Sequence, residues 1–202
     1  MALVGAVTAS SGGAAYASRP GTKAAYTVMS INPSPGFGLD WTLGQRGLWQ
    51  RVNASGGVDG HQINFTTCAN GTFVAQSQDL NYTCAETAVA DKVLAVTGSS
   101  SEYDSVVYPV LAANHIPDIG SFPESPIDYT SFESVPFLVP EIVLFGGLSI
   151  ELKQAAHCKK VAFLDQANTA VTAADDDAFA AGAKYAHVRV APAIDVPATQ
   201  TP

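Results

Sequence analysis

The sequence predicts an α/β protein: a doubly wound parallel sheet with helices on both faces, followed by a second, incomplete α/β lobe. Three observations carry this. From residue 24 onward, short apolar runs alternate with segments of helical spacing, and such alternation calls for a parallel sheet with crossover helices. Clusters of Gly, Ser and Pro punctuate the alternation where turns belong. Finally, 47% of the 202 residues are hydrophobic and only 14% are charged, which gives enough apolar mass for a core and excludes a disordered chain.

The elements follow in order. Residues 24–31 are a β-rich run stopped by Asn32-Pro33-Ser34-Pro35-Gly36. Leu39, Leu43, Leu48 and Val52 recur at helical spacing until Gly56-Gly57 ends the helix. In 61–67, Ile63 and Phe65 alternate with polar residues as in a strand, and 74–90 is compatible with a helix. Residues 92–97 form a short apolar strand that runs into Gly98-Ser99-Ser100-Ser101. Val106, Val107, Val110 and Leu111 mark the next helix, and 116–119 a strand whose Pro117 belongs at a start or edge. Residues 121–140 carry Pro123, Pro126, Pro136 and Pro140 and read as an irregular connection. Beyond it, 144–157 is helical, 161–164 a strand, 167–183 an Ala-rich helix and 186–190 a last strand. The organisation expected is a signal-peptide-like or flexible segment 1–23, a first lobe 24–120, a connection 121–140 and a partial second lobe 141–202.

Charge and cysteines bound the compartment and partners. Eighteen acids against ten bases give a net charge of −8, a surface that a phosphate backbone repels, so nucleic acid is not an expected partner. No run of 18 apolar residues occurs. Residues 2–9 are apolar, and Ala15-Tyr16-Ala17 followed by Ser18 has the form of a signal-peptidase site, although a flexible small-residue terminus reads the same way. Cys68 and Cys84 stand sixteen apart; in an exported protein they read as a disulfide, in a reduced compartment as two buried thiols. Cys158 is expected to be free. Sequons occur at Asn53, Asn64, Asn70 and Asn81.

In open parallel sheets ligands bind beyond the carboxyl ends of the strands, which directs attention to segments 32–38, 98–101, 120–125 and 165–170. The serine run after a strand and before a helix offers hydroxyls and backbone N–H groups to an anionic group, or simply caps the helix. It lacks the Gly-Lys-Ser/Thr ending of a phosphate-binding loop, and Gly36-Phe37-Gly38 lacks the third glycine of a dinucleotide fingerprint, Trp41 standing there. No Gly-x-Ser-x-Gly elbow exists. The histidines at 61, 115, 157 and 187 are scattered and read as surface or capping residues. Asp175-Asp176-Asp177 reads as a solvated helix face. No metal site, cofactor or nucleophile–base pair assembles from these residues, so a binding protein is favoured over an enzyme.

The run Val52-Asn53-Ala54-Ser55-Gly56-Gly57-Val58-Asp59-Gly60 resembles the leucine/isoleucine/valine-binding proteins of ABC importers, which have the type I periplasmic binding protein fold. Asp91 to Ser101 is similar to that family's strand and serine loop, Ile116-Pro117-Asp118-Ile119-Gly120-Ser121 to its next strand and loop, and Lys159 to Asp165 to the first strand of its second lobe. Cys68 and Cys84 resemble the cysteine pair of many actinobacterial members. The resemblance implies an extracytoplasmic solute receptor that closes two lobes on an amino acid and signals to ABC permease subunits. It implies ligand contacts from Phe37, Ser99, Ser100, Gly120 and Ser121, with Thr169 on the second lobe. Departures are visible. A Tyr-Gly pair of the family is replaced by Thr169-Ala170, and the loop at Phe122-Pro123-Glu124 lacks the usual Thr or Ala. The acidic group that commonly receives the ligand's ammonium belongs to a part of the second lobe that this chain does not reach. A sensor domain of the same fold, feeding a signalling protein, is the alternative reading, as is a fragment without function of its own. The short second lobe is expected to be loose, or to associate with another copy through its exposed sheet edges.

Overall fold

The computed structural model describes residues 23–34, 42–72, 75–139, 141–167, 172–192 and 194–197. Of the segment 1–23 expected to be signal-peptide-like or flexible, residues 1–22 lie outside the described residues and Lys23 begins a strand; two of the expected ligand residues, Phe37 and Thr169, also lie outside.

Strand β1 (Lys23–Asn32) becomes fully buried over its last five residues, because strands flank it on both sides. Side chains alternate along it. Met29 and Ile31 enter a core shared with α2 (Gln78–Ala90) and α3 (Asp104–Ala113). Ser30 and Asn32 are buried on the opposite face, where Ser30 accepts from Gln45 of α1 (Leu43–Ala54). Strand β2 (His61–Ala69) pairs with β1 in parallel, from Lys23↔His61 to Asn32↔Ala69. A small antiparallel hairpin, β3 (Gly71–Thr72) and β4 (Ala75–Gln76), precedes α2. Helix α2 starts where the extended Ser77 accepts the Leu80 N–H at 3.4 Å, with Asp79 in its positive first turn. Strands β5 (Ala95–Thr97), β6 (Asp118–Ile119) and β7 (Ser134–Val135) complete the sheet in the order β2-β1-β5-β6-β7, every pairing parallel.

The disulfide is present. Cys68 at the end of β2 and Cys84 on α2 have Cα atoms 5.6 Å apart and are bridged, while Cys158 is free.

Three differences from the sequence reading have physical causes. The strands expected over 92–97 and 116–119 are only three and two residues long. Helix exits run into both: Lys92 and, just before the second, His115 take left-handed backbone at φ 52° and 55°. The Val93 and Ile116 N–H groups turn back to Ala88 and Leu111 carbonyls, which satisfies helix ends by the Schellman pattern. His187 stands in the same position after α5 (Thr172–Tyr185). Next, the Pro-rich stretch 121–140 is not only connection: it holds a 3₁₀ turn (Pro126–Tyr129) and β7, the fifth strand of the sheet. Two residues of strand leave no periodicity to detect. Finally, Asn70 and Asn81 are fully buried, so these two sequons offer no glycan acceptor in the folded chain.

The remaining residues form α4 (Glu141–Gln154), β8 (Lys160–Val161), β9 (Leu164–Ala167), α5, β10 (Arg189–Val190) and β11 (Ile194–Pro197). Strand β8 pairs with β10 and β9 with β11, both in parallel; β11 extends the last strand beyond the expected 186–190. Val161, Phe163, Phe179, Ala183 and Val188 make a separate small core, with Phe163 stacked on Phe179 at 4.8 Å between centroids. The acidic run of α5 departs from a solvated face: Asp175 is buried, one and two turns before Phe179 and Gly182 on the inner side of the helix.

Candidate functional site

The strand order reverses between β1 and β5: the chain leaves β1 toward β2 on one side and leaves β5 toward β6 on the other. Crossover connections diverge at such a point and leave a crevice beyond the strand ends. Among the described residues, the edge there is made by Asn32 to Ser34, by 98–101 and by 120–125.

The backbone after β5 is held from several sides. Gly98 has φ 58°, a left-handed turn that glycine takes without strain, and a Cβ added there would lie 2.7 Å from Gln45 Nε2 and displace that side chain. Its carbonyl accepts from Ser30 Oγ at 3.2 Å, Asn32 Nδ2 at 3.1 Å and Gln45 Nε2 at 3.2 Å. The Ser100 N–H donates to the Ile31 carbonyl at 3.0 Å, and Asn70 Nδ2 donates to the Ser100 carbonyl at 2.9 Å. Asn70 also bonds Gln76 and Asn81, which ties the hairpin and α2 to the serine loop.

The loops that carry Ser99, Ser100, Gly120 and Ser121 are brought together. A Cβ on Gly120 (φ 76°) would lie 4.0 Å from the Gly98 N, so the two loops run side by side. Ser100 bridges to Phe122, and the Phe122 N–H donates to the Ser99 carbonyl at 2.8 Å. The side chains, however, are already engaged. Ser99 Oγ donates a short hydrogen bond to Asp118 Oδ2, and Ser100 Oγ donates to Glu124 Oε1 at 2.5 Å. Ser101 Oγ accepts the Tyr103 N–H at 3.0 Å and so serves the start of α3. Ser121 is 1% exposed and its hydroxyl has no hydrogen-bond partner.

Behind these loops lies a group of acids that the sequence reading missed. Asp104 on α3, Asp118 on β6 and Asp128 in the 3₁₀ turn are buried together with Tyr108. Burial pushes the Asp118 carboxyl up to about 7; the bond from Ser99 opposes this and the Asp128 charge adds to it. Asp104 is raised well above the carboxylate range, first by burial and then by the charges of Asp128 and Asp118. Asp128 is raised by burial, although it accepts the Ser125 N–H at 2.7 Å. Tyr108 is pushed up by burial and by the three acids, and its hydroxyl donates to Ser134 Oγ at 3.2 Å. Among the described residues no group of three or more His, Cys, Asp or Glu side chains is placed to hold a metal ion. One signal in the sequence pointed to Asp118: a lone acid inside an otherwise apolar β run. For Asp104 and Asp128 there was none, because only the fold brings residues 24 apart into one pocket.

A parallel α/β lobe with a polar loop edge at its reversal point is the architecture of a ligand-binding domain. The profile of the periplasmic binding protein family matches residues 33–201, and the chain belongs to that family of solute-binding proteins. It is similar in structure to a leucine binding protein from Thermotoga maritima, with a TM-score of 0.73 and 12% identity, over 88% of this chain and 50% of that one. A branched-chain amino acid transporter substrate binding protein from Streptococcus pneumoniae, solved with isoleucine, gives 0.69 and 16%, over 85% and 49%. A solute binding protein of an ABC transporter from R. palustris, solved with 4-hydroxybenzoate, gives 0.69 and 19%, over 89% and 49%. The chain thus spans about half the length of these solved structures. No curated protein sequence matches it significantly. No helix among the described residues is long and apolar enough to cross a membrane.

Proposed function

We propose that this chain supplies the first lobe, and part of a second, of an extracytoplasmic solute receptor for an ABC importer, with an amino acid or a related small metabolite as ligand. The observation that carries the reading is the juxtaposition of the loops 98–101 and 120–125 at the reversal point of the sheet. Phe37, Ser99, Ser100, Gly120, Ser121 and Thr169 are the proposed contacts; of these, Ser121 carries a buried hydroxyl without a partner. Closure of two lobes on the ligand would be what the permease reads. The domains proposed are 24–120 with its connection 121–140, and 141–202.

The test is calorimetric titration of the chain with leucine, isoleucine, valine and polar analogues. Ser121→Ala is expected to weaken binding by about 1–3 kcal/mol, because the ligand would lose a buried hydrogen-bond partner. Ser99→Ala is expected to cost a similar ~1–3 kcal/mol by releasing Asp118 and the loop. Parent-like affinity in both variants would place the site elsewhere.

A further inference from the structure

The peptide unit between Gly98 and Ser99 opens the serine loop, and its carbonyl is held from outside the loop. Two of the donors, Ser30 and Asn32, are buried on β1 of the same sheet. The third, Gln45, comes from another element, the first turn of α1. Its whole side-chain amide is engaged there. Nε2 donates to the Gly98 carbonyl at 3.2 Å and to Ser30 Oγ at 3.0 Å, and Oε1 accepts from Thr97 Oγ1 at 3.2 Å. An amide has two N–H donors and one carbonyl, so this one side chain grips both the last residue of β5 and the first residue of the loop. The three atoms nearest to a Cβ added at Gly98 all belong to Gln45. Apolar packing does not account for this docking. No side chain of α1 is fully buried, and Leu43 and Leu48, on either side of Gln45 in the sequence, are 63% and 44% exposed. Gln45 is itself only half-buried; ordering its side chain costs rotamer entropy, which the three bonds offset.

We propose that Gln45 is a positioning residue for the serine loop: it docks the start of α1 on the carboxyl end of β5 and fixes Gly98, so that the loops at Ser99 and Phe122 stand in one arrangement before a solute enters. The proposal rests on the solute-binding reading above and adds to it a residue that acts on the ligand through the loop. Hydrogen bonds carry the fixing outward. The Ser100 N–H donates to the Ile31 carbonyl at 3.0 Å and the Phe122 N–H to the Ser99 carbonyl at 2.8 Å, so these two amides report the two loops. A loop ordered in advance raises affinity, because its ordering entropy is not charged to binding.

The test is amide hydrogen exchange at neutral pH, read residue by residue in the parent chain, in Gln45→Glu and in Gln50→Glu. Gln45→Glu keeps the shape and the acceptor for Thr97 but removes the donor to the Gly98 carbonyl. It should speed exchange of the Ser100 and Phe122 amides by about tenfold, the loss of roughly one hydrogen bond. The Ile116 amide, bonded to Leu111 at the exit of α3, should stay as slow as in the parent. Gln50→Glu, exposed on the same helix, makes the same change in charge and should alter none of these amides. Unchanged exchange at Ser100 and Phe122, or an equal change in Gln50→Glu, overturns the proposal. Acceleration shared by Ile116 would make Gln45 a general stabiliser and overturns it too. Titration of the same chains with leucine, isoleucine and valine separates the proposal from the reading beneath it. A probe that binds the parent should bind Gln45→Glu about tenfold more weakly; equal affinity with a loosened loop overturns the positioning role. Silence from all three probes on a folded parent counts against the amino-acid reading alone, while the exchange still decides whether Gln45 holds the loop.

Discussion

Asp118 is a carboxyl at 0% exposure, hydrogen-bonded by Ser99 and by Tyr108. Its ordinary value is 3.8 and burial raises it to about 7, so the folded chain holds a proton that the unfolded chain releases. The contribution of Asp118 to stability therefore falls as pH rises from about 4 to about 7. Asp104 and Asp128 shift in the same direction and deepen the effect. One pKa unit corresponds to about 1.4 kcal/mol; water entry and relaxation take up part of the ideal sum. We expect Asp118→Asn, which keeps the shape and removes the charge, to raise stability by about 2 kcal/mol at pH 8 and by little at pH 5. Urea unfolding at the two pH values measures this. A variant that gains equally at both would show that Asp118 does not titrate across this range.

At the scale of elements, the pair α4 and α5 is set by small residues. A Cβ on Gly182 would collide with the Gly146 carbonyl and Ser149 Oγ. Ser149 is fully buried between the helices, where it donates to the Gly146 carbonyl at 3.0 Å. Backbones this close leave no room for even one methyl group. Gly182→Val should therefore push α5 away from α4 and expose Phe179, costing about 3 kcal/mol by overpacking and a β-branched group in a helix. The readout is thermal unfolding together with protease sensitivity of residues after 141; unchanged melting would mean that the helices can separate without loss. The disulfide acts at the same scale on the first lobe: it joins β2 to α2 across sixteen residues, a closure worth roughly 3 kcal/mol through the unfolded state.

For the whole molecule, the two units differ in how much core they own. The first has a five-stranded sheet and a cluster of eleven buried apolar residues from Met29 to Ile116. The second has two interrupted strand pairs and a cluster of five. Between them Phe137, Leu138 and Val139 are exposed and outside regular structure, and Phe132 in the turn before β7 is 99% exposed. Limited chymotrypsin digestion should cut first at Phe132, Phe137 and Leu138 and leave the core of Met29 to Ile116 intact in the resistant product, since exposed backbone outside regular structure is the easiest to cleave. Early cuts within α2 or α3 would contradict the proposed division of stability.

The class of fold was legible in the chain itself, because alternation of apolar runs with helix-spaced segments is a local property and leaves one plausible architecture. The edge that bears the loops 98–101 and 120–125 was legible for the same reason: once β5 and β6 are placed, their carboxyl ends must lie together. What the sequence by itself could not determine was the direction of each hydrogen bond at that edge. Ser99 and Ser100 read as donors to an anion until the fold set Asp118 and Glu124 against them. The buried group of Asp104, Asp118 and Asp128, the fifth strand from Ser134 and Val135, and the buried state of Asn70 and Asp175 were likewise decided only by tertiary structure. Periodicity reports which face of an element is apolar; it carries no record of which distant polar side chain that face meets, and the protonation of a carboxyl depends on that partner and on the water excluded around it.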